Sequence, residues 1–217
     1  MNLSSIASFK TWTATATAAA MALFSIPVAE AQDAREVLEA SRTAILETAT
    51  LSYEAESRGI GAVAFRLPVV TGTILMSRLQ DDPIGAMLHA KGSFYRPSGR
   101  MEGQRGTFEF GYDGEVARGF DMTGSSMMEG DGESGLRLLG NGMQIRLTEF
   151  FSDSPFTQEL AARTLEVEGR TEVDGVLCDV VYARLLNDTE VRWMIGVEDH
   201  LPRQVERMIT LGDRVGV

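Results

Sequence analysis

The sequence predicts an α+β domain that is mainly β: a strongly curved antiparallel sheet, an unclosed half-barrel, with an N-terminal helix and a helical pair covering its concave face. Three observations predict it. Beyond residue 50, apolar residues recur at every second position through most of the chain, the period of strands with one buried face. Neighbouring runs are joined by tight turns such as Asp113-Gly114, Asp174-Gly175 and Asn187-Asp188, and consecutive hairpins pair antiparallel. Outside the N-terminal leader, helical spacing is confined to residues 33–49 and 145–162, so little is present to cover a sheet of about nine or ten strands. Such a sheet has exposed edges and a large apolar face, and curling around its few helices answers both.

The chain begins with a segment that reads as a cleavable signal peptide, residues 1–31. Lys10 gives the start its positive charge, and Met21, Leu23, Phe24 and Ile26 lie at the heart of an apolar run over residues 14–28. Pro27 stops that run, and Ala29-Glu30-Ala31 is a small-x-small cleavage site. The run is short for a spanning helix, and no cysteine follows it to carry a lipid. Cleavage near Ala31 leaves residues 32–217, a single domain of 186 residues (217 minus 31), expected in the periplasm without a transmembrane anchor.

Residues 33–49 read as an amphipathic helix, with Ala34, Val37, Leu38, Ser41 and Ile45 on one face and Asp33 as N-cap. Leu51, Tyr53, Ala55 and Ser57 then alternate with polar residues as a half-buried strand. Further strands are expected over residues 70–79, 87–95, 106–112 and 115–122, separated by Asp81-Asp82-Pro83, by Pro97-Ser98-Gly99 and by Asp113-Gly114. Residues 125–142, rich in glycine, methionine and acid, form a further hairpin or a loop. Residues 145–151 and 155–162 are expected to be helical, the second capped by Ser154 with Pro155 at its first position. Strands over residues 165–171, 176–186, 191–197 and 203–211 complete the sheet.

The formal net charge of −11 disfavours nucleic acid and anionic lipid surfaces as partners. The single cysteine, Cys178, lies in the apolar phase of its strand, as a buried and inert thiol would. His89 and His200 are the only histidines; neither sits beside a nucleophile, and no Gly-x-Ser-x-Gly motif is present. Glu129, Asp131 and Glu133 lack the bidentate ligand that would complete a calcium loop, and read as a solvated acidic turn. Met122, Met127, Met128 and Met143 read as adaptable apolar lining. No catalytic residue, metal or cofactor is expected.

Several motifs resemble the LolA-like family, periplasmic carriers of lipoproteins. Gly92-Ser93-Phe94-Tyr95-Arg96-Pro97-Ser98-Gly99-Arg100 resembles the family's strand and turn "G-x-F-x-x-R-P-G-x". Tyr112-Asp113-Gly114 resembles its next hairpin, and Glu172-Val173-Asp174-Gly175-Val176 a later one. Trp193-Met194-Ile195 and Leu201-Pro202-Arg203-Gln204-Val205-Glu206 resemble its closing strands. The resemblance covers most of residues 33–211 and implies the half-barrel fold. Members include lipoprotein carriers, lipid-binding lipoproteins and a stress-sensing regulator. The chain also resembles an exported domain sometimes found before a thioredoxin-like module, but the single cysteine of these 217 residues allows no Cys-x-x-Cys within them.

The function expected is that of a non-enzymatic periplasmic binding protein, holding a lipid or a lipoprotein acyl chain in the half-barrel cavity. The alternative is an envelope sensing or protein-interaction domain of the same fold, whose partner is another envelope protein. Alternation places Phe94, Phe108, Phe110, Phe120, Trp193 and Ile195 on the inward phase, with Leu147 and Phe150 on the helical lid. Each methylene that such a lining withdraws from water contributes about 0.8 kcal/mol. A hollow filled by the protein's own side chains would favour the alternative.

Overall fold

The computed structural model describes residues 33–79, 82, 85–97, 102–120, 127–138, 140–211 and 214–217. The signal peptide expected at residues 1–31 lies outside these, as do Asp81 and Pro83 of one expected turn, Ser98 and Gly99 of another, and Met122, Ser125 and Ser126. The side chains of Met127, Glu133 and Met143 also lie outside the description.

Helix α1 (Ala34–Glu47) forms where the helical spacing predicts it. The Asp33 carboxylate caps it by accepting from the backbone N of Arg35 at 2.9 Å, and Ala34, Val37, Leu38, Ser41 and Ile45 form the buried stripe. The β-branched Thr48, in extended conformation, ends the helix and leads into the first strand.

Six strands follow: β1 (Thr50–Ser57), β2 (Val69–Arg78), β3 (Ala86–Tyr95), β4 (Arg105–Tyr112), β5 (Val116–Phe120) and β6 (Met127–Asp131). Each pairs antiparallel with the next, so the order across the sheet is the order along the chain. The glycine- and methionine-rich segment supplies β6, the second arm of a hairpin with β5. A second meander contains β7 (Thr164–Val173), β8 (Val176–Arg184), β9 (Glu190–Gly196) and β10 (Pro202–Arg207), in the order β10-β9-β8-β7. At the β7–β8 turn both Asp174 and Gly175 have positive φ, 48° and 82°, the geometry that suits a two-residue hairpin.

Between β6 and β7 runs the covering segment: α2 (Gly132–Leu138), two 3-10 turns (Gly140–Ile145 and Thr148–Phe151) and α3 (Thr157–Leu160). No hairpin joins β6 to β7, so hydrogen bonding divides the curved surface into a six-stranded and a four-stranded sheet, and the half-barrel stays unclosed. The expected closing strand over residues 203–211 breaks at Met208. Its N–H bonds to the carbonyl of Glu190, where β9 begins, and beyond that point β11 (Ile209–Leu211) pairs with β12 (Arg214–Gly216) instead.

The helical pair is shorter than its periodicity suggests. Residues 145–151 hold 3-10 turns interrupted at Arg146 and Leu147, and α3 is one turn long. Ser154 does not cap α3 with its side chain. The N-cap is Phe156, at φ 58°, and the Ser154 carbonyl instead accepts from the Thr157 hydroxyl at 2.7 Å.

One apolar core joins both sheets with α1 and the covering segment. Helix α1 packs on β7 and β8, whereas the first 3-10 turn packs across β1 to β4. Gly72 and Gly92 face each other across β2 and β3 and let that turn come close. A Cβ on Gly72 would lie 3.0 Å from Ile145 Cδ1, and one on Gly92 would lie 2.6 Å from the Phe108 ring.

Candidate functional site

Alternation along β3 and β4 sends Phe94, Phe108 and Phe110 to the concave side of the six-stranded sheet, where all three are buried. The Phe108 and Phe110 rings, two residues apart on one strand face, have centroids 6.4 Å apart. Over them lies the lid of two 3-10 turns. Gly142 sits directly on the two rings, and a Cβ there would approach Phe110 to 2.7 Å and Phe108 to 2.8 Å. Ile145, Phe150 and Phe151 of the lid itself are buried, with Leu147 half-buried against the core. Phe150 meets Tyr53 of β1 at a centroid distance of 5.4 Å.

Two polar side chains fasten this lid. The Tyr53 hydroxyl donates to the carbonyl of Ile145 at 3.4 Å and accepts from the N–H of Leu147 at 3.3 Å. It thereby satisfies two backbone groups at the break between the 3-10 turns. Burial pushes its phenol pKa up. Arg78, at the end of β2, reaches three carbonyls with its guanidinium. One terminal nitrogen donates to Ser152 at 3.2 Å, and the other to Phe150 at 2.9 Å and Ile45 at 3.1 Å. One side chain therefore ties the sheet to both the lid and the C-terminal end of α1. Burial holds the Arg78 pKa below its ordinary value. Sequence reasoning missed both residues, because strand phase gives the direction of a side chain but not the backbone carbonyls it will meet.

Trp193 and Ile195 are also buried, but on β9 of the four-stranded sheet. Trp193 stands edge-on to Phe156, with centroids 5.2 Å apart and planes at 88°. Its indole N–H donates to Oε1 of the buried Glu159 at 3.0 Å. Of the eight residues expected to line one cavity, Phe94, Phe108 and Phe110 lie on the six-stranded sheet, Leu147 and Phe150 on its lid, and Trp193 and Ile195 on the four-stranded sheet, while Phe120 is an exception. Phe120 points outward and is 53 % exposed. The inward positions of β5 are Ala117 and Gly119, whose register partners are Tyr112 and Phe110. Small residues stand where the partner strand carries large ones, and this reverses the phase expected for Phe120.

The space between sheet and lid is filled by these side chains. Phe94 is 3 % exposed, Phe110 2 % and Phe150 4 %. Two hollows lie elsewhere among the described residues. One, of about 970 Å³, crosses the outer face of the six-stranded sheet. The other, of about 600 Å³, is a polar cleft beside the second 3-10 turn, containing Glu149, Glu159, Arg146 and Arg207. In that cleft Glu149 accepts from the N–H of Phe156 at 2.7 Å, and burial, reinforced by the charge of Glu159, pushes its carboxyl pKa up.

The residues weighed for other chemistry have structural partners. His89 pairs with Glu109 at 3.0 Å on the exposed face, His200 occupies a turn at φ 56°, and Cys178 is buried with its thiol pKa raised by that burial. Glu129 receives a hydrogen bond from Arg118 at 2.9 Å.

No protein-family model and no curated protein sequence matches the chain. Among solved structures, LprF from Mycobacterium bovis superposes with a TM-score of 0.50 at 10% sequence identity, over 84% of this chain and 89% of that one. The Mycobacterium tuberculosis lipoprotein LppX gives 0.47 at 15% identity, over 84% and 90%. A DUF1329 family protein from Desulfovibrio piger gives 0.34 at 10% identity, over 81% and 73%. The unclosed antiparallel half-barrel expected from the sequence is the fold of this chain, and its similarity to LprF is one of fold.

Proposed function

We propose that this protein is a non-enzymatic, exported binding protein that holds a lipid or lipoprotein acyl chain between the six-stranded sheet and its lid. The observation that carries this reading is the construction of the lid. It covers an aromatic surface with 3-10 turns and is tied to the sheet by two hydrogen-bonding side chains, Tyr53 and Arg78. Such turns have poorer hydrogen-bond geometry than an α-helix. Arg78 is only half-buried, so water can replace its carbonyl partners as the lid lifts. A ligand entering there exchanges the packing of the lid, with Gly142 on the Phe108 and Phe110 rings and Phe150 against Tyr53, for its own methylenes, each contributing about 0.8 kcal/mol. Periplasmic residence follows from the expected signal peptide. Among the described residues no helix is long and apolar enough to cross a membrane.

The second reading, an envelope interaction domain, is favoured by one observation: the concave face is filled by the protein's own side chains. Native mass spectrometry of protein purified from its own envelope separates the two. The carrier reading predicts a co-purifying acyl species at defined stoichiometry, or uptake of added palmitic acid, that Phe150→Asp abolishes while the four-stranded sheet stays folded. A clean protein mass with no uptake selects the interaction domain, and uptake unchanged by Phe150→Asp removes the lid from the mechanism.

A further inference from the structure

The outer face of the six-stranded sheet carries a trough that the lidded site does not use. Its floor is the register row Ala55, Gly72, Gly92 and Phe108, which presents backbone to the outside because its side chains, where there are any, point inward. The flanking rows point outward and form the walls. They bring Glu54, Glu56 and Glu109 to the trough, the β7–β8 turn adds Asp174, and Lys91 is the one cation in the lining. The volume is about 970 Å³.

Charge alone would be a solubility device, but the same face is apolar as well. Phe120 lines the trough at 53 % exposure, and Leu75 and Met87 stand outward on β2 and β3 at 48 % and 43 %. Of these three, Phe120 lies in the lining itself and gives the trough an apolar contact point beside its carboxylates. The existing ion pairs of the walls, Glu109 with His89 and Glu56 with Arg58 at 3.5 Å, are exposed and weak, so an incoming cation displaces them readily.

We propose that this trough docks an extended, cationic peptide segment of a partner protein, one that carries apolar side chains among its lysines and arginines. Four carboxylates, against the Lys91 ammonium in the lining and the Arg58 guanidinium beside Glu56, leave the trough net negative and supply the complementary field and a fast encounter. Phe120, the exposed aromatic of the lining, receives an apolar side chain of the peptide. The floor amides already belong to the sheet ladder, so recognition rests on charge and apolar contact and not on strand addition.

The test is fluorescence anisotropy with a labelled peptide of lysine and leucine in equal numbers, beside an oligolysine of the same charge. Saturable, salt-sensitive binding of the mixed peptide is expected. The triple variant Glu54→Gln, Glu56→Gln, Glu109→Gln should weaken it by about tenfold or more. A control of equal charge change outside the trough, Glu47→Gln, Glu166→Gln, Glu198→Gln, should leave it unchanged. Phe120→Ser should weaken the mixed peptide but not the oligolysine. Absence of saturable binding, equal loss in the control variant, or oligolysine binding as tightly as the mixed peptide would each overturn the proposal. These readouts are independent of acyl-chain uptake, so this docking surface and the lidded site can fail separately.

Discussion

The two sheets meet in one core, yet they are covered in different ways. The four-stranded sheet lies under α1, a regular helix of 14 residues, and is locked to α3 by the Trp193–Phe156 contact and the Trp193–Glu159 hydrogen bond. Its other face carries the Arg192–Glu168 ion pair at 2.7 Å, and in the core-facing phase of Val181 and Trp193 the buried Asp179 pairs with Arg170 at 2.7 Å. The six-stranded sheet lies under short 3-10 turns that depend on Gly142 for close approach and on Tyr53 and Arg78 for attachment. One half is thus held by a regular helix and a buried aromatic contact, the other by short turns and two hydrogen-bonding side chains. The lesson is that a fully packed concave face does not by itself make a site inert; what matters is the free energy of lifting its cover.

The largest effect that would break this comparison is expected at Trp193. Trp193→Ala removes a fully buried ring and leaves the Glu159 carboxylate without its indole donor. We expect about 3–5 kcal/mol of global destabilisation by chemical denaturation. A loss below about 1 kcal/mol would mean that the four-stranded half is not the anchor.

Arg78→Met should act more locally. Three carbonyls lose their donor, so lid opening should become easier by about 1–3 kcal/mol, read as faster amide exchange in residues 140–151. The midpoint of global unfolding should fall by less than it does in Trp193→Ala. Equal losses in both would erase the distinction between the halves.

The smallest effect concerns Glu149. Burial and the neighbouring charge of Glu159 raise its pKa in the folded state, so the folded chain holds this proton to higher pH than the unfolded chain does. Stability from this group is therefore full below the ordinary carboxylate range and is lost as pH rises through the elevated folded value. Glu149→Gln keeps an acceptor for the N–H of Phe156 while removing the titration. It should flatten the fall in melting temperature above the ordinary carboxylate range and raise that temperature slightly at neutral pH. A pH profile identical to that of the parent protein would show that Glu149 does not carry the dependence.

Much of the β structure was legible before any coordinates. Alternation at Leu51, Tyr53 and Ala55, the Asp-Gly pairs, and Asp33 before a helical stripe each encode a local preference that the fold keeps. What was not legible depends on neighbours distant in sequence. Phe120 looks like an inward aromatic until Phe110 and Tyr112 claim the space opposite Gly119 and Ala117. The spacing around Phe150 suits an α-helix, but Tyr53 holds the chain open between two 3-10 turns. The strand after Arg203 loses its partner only because β9 starts at Glu190. Arg78 reads as an ordinary strand-end cation, and its role appears only when Ile45, Phe150 and Ser152 converge on it.

Hydrogen exchange followed by mass spectrometry, with and without palmitic acid, tests the central claim most directly. The account predicts that residues 140–151 exchange through local opening much faster than β9, and that palmitic acid changes protection in the lid and along β3 and β4 while leaving β9 as it was. A lid that exchanges as slowly as β9, with no change on adding palmitic acid, would contradict it.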